Sequence, residues 1–124
     1  MMQNILFVAL GGALGSVARY LVSKAVNETV SSPFPFATLI VNVFGCALIG
    51  VFYTLSDRFG FDAGIRLLLT VGLCGGFTTF STFMNENLLL LRSDDIVFAA
   101  LYVGGSVALG LLGVWAGRLL ASFV

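Results

Sequence analysis

The chain has 124 residues, 59% hydrophobic and 10% charged, with six basic and six acidic side chains and no His. A water-soluble domain carries about 25% charged residues, so this chain has too few to cover a solvated surface, and its mean hydropathy of +1.07 makes lipid its main solvent. Lacking His, a paired thiol motif and carboxylates paired at depth, it offers no constituents for an enzyme's active centre, and no nucleic acid is expected as a partner.

The first apolar stretch, Met1 to Val26, is interrupted only by Arg19 and Lys24 near its end, which predicts a helix over Gln3 to Val26. It lacks the basic lead of a cleaved signal, and its apolar run continues past Leu14, so it reads as a retained span. Ser31-Ser32-Pro33-Phe34-Pro35 then supplies an extended entry to a second helix over Phe36 to Ser56. After a loop from Asp57 to Gly64, a third helix is predicted over Ile65 to Leu91 and, across Arg92-Ser93-Asp94-Asp95, a fourth over Ile96 to Leu120. The charge-free runs Thr29 to Ser56, Leu67 to Asn85 and Ile96 to Gly117 each meet or approach the roughly 20 residues that cross a hydrocarbon core. The expectation is one all-α, four-helix transmembrane domain over 1–124, with short connections that make neighbouring helices antiparallel.

Ten of the fifteen glycines cluster in three of these helices: Gly11, Gly12 and Gly15; Gly45 and Gly50; Gly104, Gly105, Gly110, Gly113 and Gly117. In lipid, small residues that let backbones approach mark packing faces. Cys46 and Cys74 each sit within an apolar run with no ligand-type neighbour and read as small core hydrophobes. With four spans, Arg58, Arg66 and Arg118 fall on one side of the membrane and Arg19, Lys24 and Arg92 on the other, so the positive-inside rule expresses no preference. Either the tie is chance, or the chain inserts both ways and an antiparallel pair becomes available.

The chemistry concentrates in the third helix, at Gly75-Gly76-Phe77-Thr78-Thr79-Phe80-Ser81-Thr82-Phe83. Two glycines cost about 1 kcal/mol each relative to alanine, and four hydroxyls compete for backbone hydrogen bonds, so the helix is expected to break at its centre. Unwound backbone at bilayer depth must face protein, water or an ion, and carbonyls freed at Gly75 and Thr78 suit a small cation; the alternative is a kink filled by neighbouring hydroxyls. Phe80 and Phe83, three apart, can turn positive ring edges to an anion beside the hydroxyls of Ser81 and Thr82, or simply pack. Asn42 offers an uncharged donor at depth, with an interhelical hydrogen bond as the competing use. Thr38 lies one turn before it, and Tyr102 with Ser106 makes a short polar stripe on helix four that is either a pathway or interhelical glue. Arg19 snorkels to an interface, where its field draws anions.

The nine-residue run resembles the GGxTTFSTF signature of the Fluc (CrcB) fluoride channels. Thr38-Leu39-x-Val41-Asn42-x-x-Gly45 resembles that family's second motif, and Gly11-Gly12-x-x-Gly15-x-x-x-Arg19-Tyr20 its N-terminal pattern. The resemblance implies an antiparallel, dual-topology homodimer in a bacterial inner membrane, exporting fluoride passively through two pores. It implies a structural sodium ion on the two-fold axis, held by the carbonyls of Gly75 and Thr78 from both subunits. Phe80, Phe83, Asn42, Ser81 and Thr82 would line the pore, with Thr38, Tyr102 and Ser106 on the polar track and Arg19 in the vestibule. One departure is Gly110, where a hydroxyl would extend the helix-four stripe. The rival reading, a small proton-coupled exporter, needs a carboxylate in helix one, which has none; Glu86 in helix three is the only carboxylate within a span.

Overall fold

The computed structural model covers Met1–Val124 and is all-helical. Its four helices long and apolar enough to cross a membrane are Met2–Thr29, Phe36–Phe59, Ala63–Arg92 and Ile96–Ser122, called spans one to four below. Each runs slightly beyond the length expected from its apolar stretch, for a local reason. Span one gains a last turn in which Thr29 Oγ1 donates to the Ala25 carbonyl at 2.8 Å. Span two continues through Asp57 and Arg58 until Gly60 ends it in the left-handed region, φ 64°, which glycine adopts without steric cost. Span three begins early because Asp62 Oδ1 accepts the Ile65 N–H at 2.9 Å, an N-cap that satisfies an otherwise unpaired first-turn donor.

The main packing partners are not sequence neighbours. Span one lies along the first half of span three, and span two along span four. Glycines make both contacts possible: a Cβ on Gly72 would stand 2.9 Å from the Gly11 Cα, one on Gly76 2.6 Å from the Gly12 carbonyl oxygen, and Gly117 faces the Ala47 carbonyl as closely. Backbone against backbone replaces the side-chain burial that lipid does not reward. Only 20 of 124 residues are buried, while Leu14, Phe44, Val71, Phe80, Leu111 and Trp115 are more than half exposed. That distribution belongs to a protein whose outer surface meets acyl chains or another apolar surface.

Span three is built differently from the others. Leu68–Cys74 is wound as a π-helix, so the Gly75 N–H reaches the Thr70 carbonyl five residues back. A short α-helical turn, Gly75–Phe77, follows, and Thr78 is extended at φ −88°, ψ 161°. The α-helix resumes at Ser81 and runs to Arg92. The whole span is bent by 19°, so the two halves remain nearly collinear around the irregular residues. Wide π turns are rare and concentrate where a helix must re-aim functional groups.

Candidate functional site

The irregular backbone is held by one side chain. Asn42, from span two, donates through Nδ2 to the Thr79 carbonyl at 3.0 Å and accepts the Thr79 N–H on Oδ1 at 2.8 Å. The side-chain amide thereby satisfies both peptide groups of a residue outside the helical ladder. Interhelical bonding is therefore an actual use of Asn42; its second Nδ2 hydrogen is not spent in this clamp. Gly45, one turn further, leaves space for the Thr78 methyl, with the Phe77 ring 3.3 Å from where a Cβ would stand.

The clamp has consequences along the chain. An uninterrupted helix would send the Thr79 N–H to the Gly75 carbonyl and the Thr82 N–H to the Thr78 carbonyl. Here the first goes to Asn42, and the second to Thr79 Oγ1 at 3.3 Å. The carbonyls of Gly75 and Thr78 thus lose their ladder donors, whereas the Cys74 carbonyl accepts from both the N–H and the hydroxyl of Thr78, at 3.0 and 2.9 Å. The Thr79 hydroxyl also donates to Thr82 Oγ1 at 3.1 Å, which leaves the Thr82 proton unspent.

Beside this backbone lies a cleft of about 400 Å³. Asn42, Thr79, Phe80, Phe83 and Ser106 all line it. The Phe80 and Phe83 ring centroids are 6.1 Å apart at 57°. The two differ in environment: Phe80 is 73% exposed, whereas Phe83 is 8% exposed and meets the Tyr102 ring edge-on at 4.8 Å. Ser106 Oγ is buried without a hydrogen-bond partner.

A second, polar cleft of about 250 Å³ shares Thr79 with the first and is lined by Ser16, Arg19, Ser23, Thr38 and Thr82 among others. Thr79 borders both clefts, so the clamped peptide stands where they approach one another. Arg19 Nε is buried there and unpaired. The one side-chain ion pair, Arg66 to Asp57 at 3.2 Å, lies elsewhere on the surface.

Comparison with known proteins bears on this arrangement directly. The family model described as CrcB-like protein, Camphor Resistance (CrcB), matches residues 6–118. The chain belongs to the CrcB family. Among its relatives, a protein of Phocaeicola vulgatus is 52% identical over 116 residues, 94% of this chain and 96% of the relative. One of Flavobacterium psychrophilum is 46% identical over 121 residues, covering 97% and 98%, and one of Bacteroides fragilis is 50% identical over 119, covering 94% of each. All three bear the name fluoride-specific ion channel FluC. With its four apolar spans, this CrcB chain is a multi-pass membrane protein of an ion-channel family, not an enzyme.

Two residues expected on the CrcB polar track turn to a third that was not among the expected site residues. Thr38 Oγ1 donates to Glu86 Oε2 at 3.1 Å, and the Tyr102 hydroxyl to Glu86 Oε1 at 2.8 Å. Tyr102 is wholly buried, with the Phe34 ring set edge-on at 5.5 Å above it. Glu86 was visible in the sequence as the only carboxylate within a span; its partners were not, because they lie 48 residues before it and 16 after. Ser81 is exposed at the start of the resumed helix.

Proposed function

We propose that the chain is one subunit of an antiparallel, dual-topology homodimer in a bacterial inner membrane, and that the dimer exports fluoride passively through two pores. The observation that carries the reading is the Asn42 clamp on Thr79, which borders a cleft that has no charged side chain in its lining and in which Phe80, Phe83 and Ser106 meet the irregular backbone of an otherwise apolar span. The relatives' names support fluoride as the ion.

Fluoride is small and strongly hydrated, so a path for it must replace water with donors that hold it weakly enough to release. Arg19, which forms no ion pair, raises the local anion concentration in the polar cleft. The free proton of Thr82 and the remaining Asn42 N–H then meet the ion, and the ring edges of Phe80 and Phe83 flank it without the grip of a cation. Ser106 continues the lining of the first cleft and Thr38 that of the second, and Tyr102, behind them, joins the track by exchanging Glu86 for the anion, as Thr38 does. A negative-inside potential drives the anion outward by about 2.3 kcal/mol per 100 mV, so no coupled energy source is needed.

The carbonyls of Gly75 and Thr78, stripped of their ladder donors, fit a small hard cation. A twin subunit would supply a second pair, and bound sodium would compensate four carbonyl dipoles at depth. Sodium is a structural ion in this reading and takes no part in selecting fluoride.

The decisive experiment is efflux from liposomes holding purified protein, with fluoride compared against chloride and with and without a pH gradient. Rapid fluoride loss, negligible chloride loss and indifference to the gradient are expected. Strict dependence on a proton gradient would replace the channel with a carrier working through Glu86.

A further inference from the structure

The polar stripe on span four stops one position short. Tyr102, Ser106 and Gly110 follow one another at four-residue intervals and share a helix face, so a hydroxyl at 110 would prolong the row. The missing side chain's place is taken from the neighbouring span. A Cβ on Gly110 would stand 3.4 Å from the sulfur of Cys46, and one on Gly113 3.5 Å from the Cys46 Cβ. Cys46 is a free thiol, half-buried, and it lines the same cleft as Asn42, Phe80 and Ser106. Immediately before Gly110 in the row, Ser106, which also lines the cleft, has an Oγ with no hydrogen-bond partner, so its donor capacity is unspent.

We infer that the Cys46 thiol is the next donor of the ion path after Ser106, supplied by span two in place of the side chain that Gly110 lacks. A thiol S–H is a weak, uncharged donor on a polarisable atom, and so meets the same requirement as the hydroxyls: it contacts an anion without trapping it. The glycine and the cysteine face one another across the two spans, with the sulfur in van der Waals reach of the place a side chain at 110 would occupy. This rests on the pore reading above and extends it by a residue that packing alone would otherwise explain.

The test uses fluoride efflux from liposomes with the full-length protein. Cys46→Ala is expected to slow efflux by about fivefold, the order of one lost neutral hydrogen bond, and Cys46→Ser to conduct at least as fast as the parent. Cys46→Ala combined with Gly110→Ser returns a hydroxyl to the row from span four and is expected to recover most of the rate, whereas Cys46→Ala combined with Gly110→Ala, which refills the volume without a donor, is not. A second arm leaves Cys46 intact: mercuric ion, which bonds to sulfur and releases the thiol proton, is added to Cys74→Ala protein so that Cys46 is the only thiol. Efflux should stop there and persist in the Cys46→Ser, Cys74→Ala protein. Full flux in assembled Cys46→Ala, failure of the Gly110→Ser double variant to recover, recovery in the Gly110→Ala one, or mercury indifference in the Cys74→Ala protein would each remove Cys46 from the path while leaving the pore in place. A parent protein that passes no fluoride at all would overturn both readings.

Discussion

Asn42 clamps Thr79 and, in the proposed pore, also meets the ion, and the two roles carry different energies. Replacing it with alanine leaves both Thr79 peptide groups unpaired at bilayer depth, at about 1–3 kcal/mol each. Asn42→Ala is therefore expected to lower the Tm of the detergent-solubilised protein as well as slow fluoride efflux by more than tenfold. The two phenylalanines separate the same effects. Phe80 is largely exposed within the subunit, so Phe80→Ile should slow efflux with little change in Tm; Phe83 is buried against Tyr102, so Phe83→Ile should reduce both. Equal Tm losses in the two phenylalanine variants, measured by thermal unfolding, would contradict the difference in burial.

At the scale of the helices, glycine position decides what a methyl group does. Gly72 and Gly11 bring spans one and three to backbone contact, and a Cβ at 72 would meet both the Gly11 Cα and the Val8 carbonyl oxygen at 2.9 Å. Because the obstacle is backbone, nothing flexible can yield, and Gly72→Ala is expected to abolish recovery of folded protein on size-exclusion chromatography. Gly104 has nothing within 4 Å. Gly104→Ala should leave the subunit intact, so any fall in efflux would report a second surface packed against span four. The boundaries of the spans also belong to this scale. Apolar length located all four, but Gly60 and the Asp62 cap moved the ends, because a helix stops where its hydrogen bonds find substitutes and not where hydrophobicity ends.

For the whole molecule, the balance of three basic side chains against three remains the argument for insertion in both orientations. Two lysines added to the exposed Phe59–Asp62 turn should impose one orientation, and coexpression with a variant biased the other way should restore the efflux that either loses alone. Replacing sodium by a bulky organic cation during purification is expected to weaken dimerisation, read as a shift toward monomer in chemical crosslinking. An unchanged crosslinking pattern would leave the Gly75 and Thr78 carbonyls to water.

The sequence by itself determined the membrane class and the four spans, because both follow from local composition, apolar length and charge scarcity; the break expected at the glycines and hydroxyls of the third span is a bend of 19°, with irregular winding that begins earlier, at Leu68. Its motif resemblance also named the family that the comparisons establish. Only the tertiary structure decided which donor meets which acceptor. Asn42 is tied to Thr79 across 37 residues, Thr38 to Glu86 across 48, and Cys46 stands at Gly110 from another span. Those pairings depend on how spans lie against one another, and in lipid that is set by backbone-to-backbone fit at glycines, a three-dimensional match that no pattern along a single helix encodes.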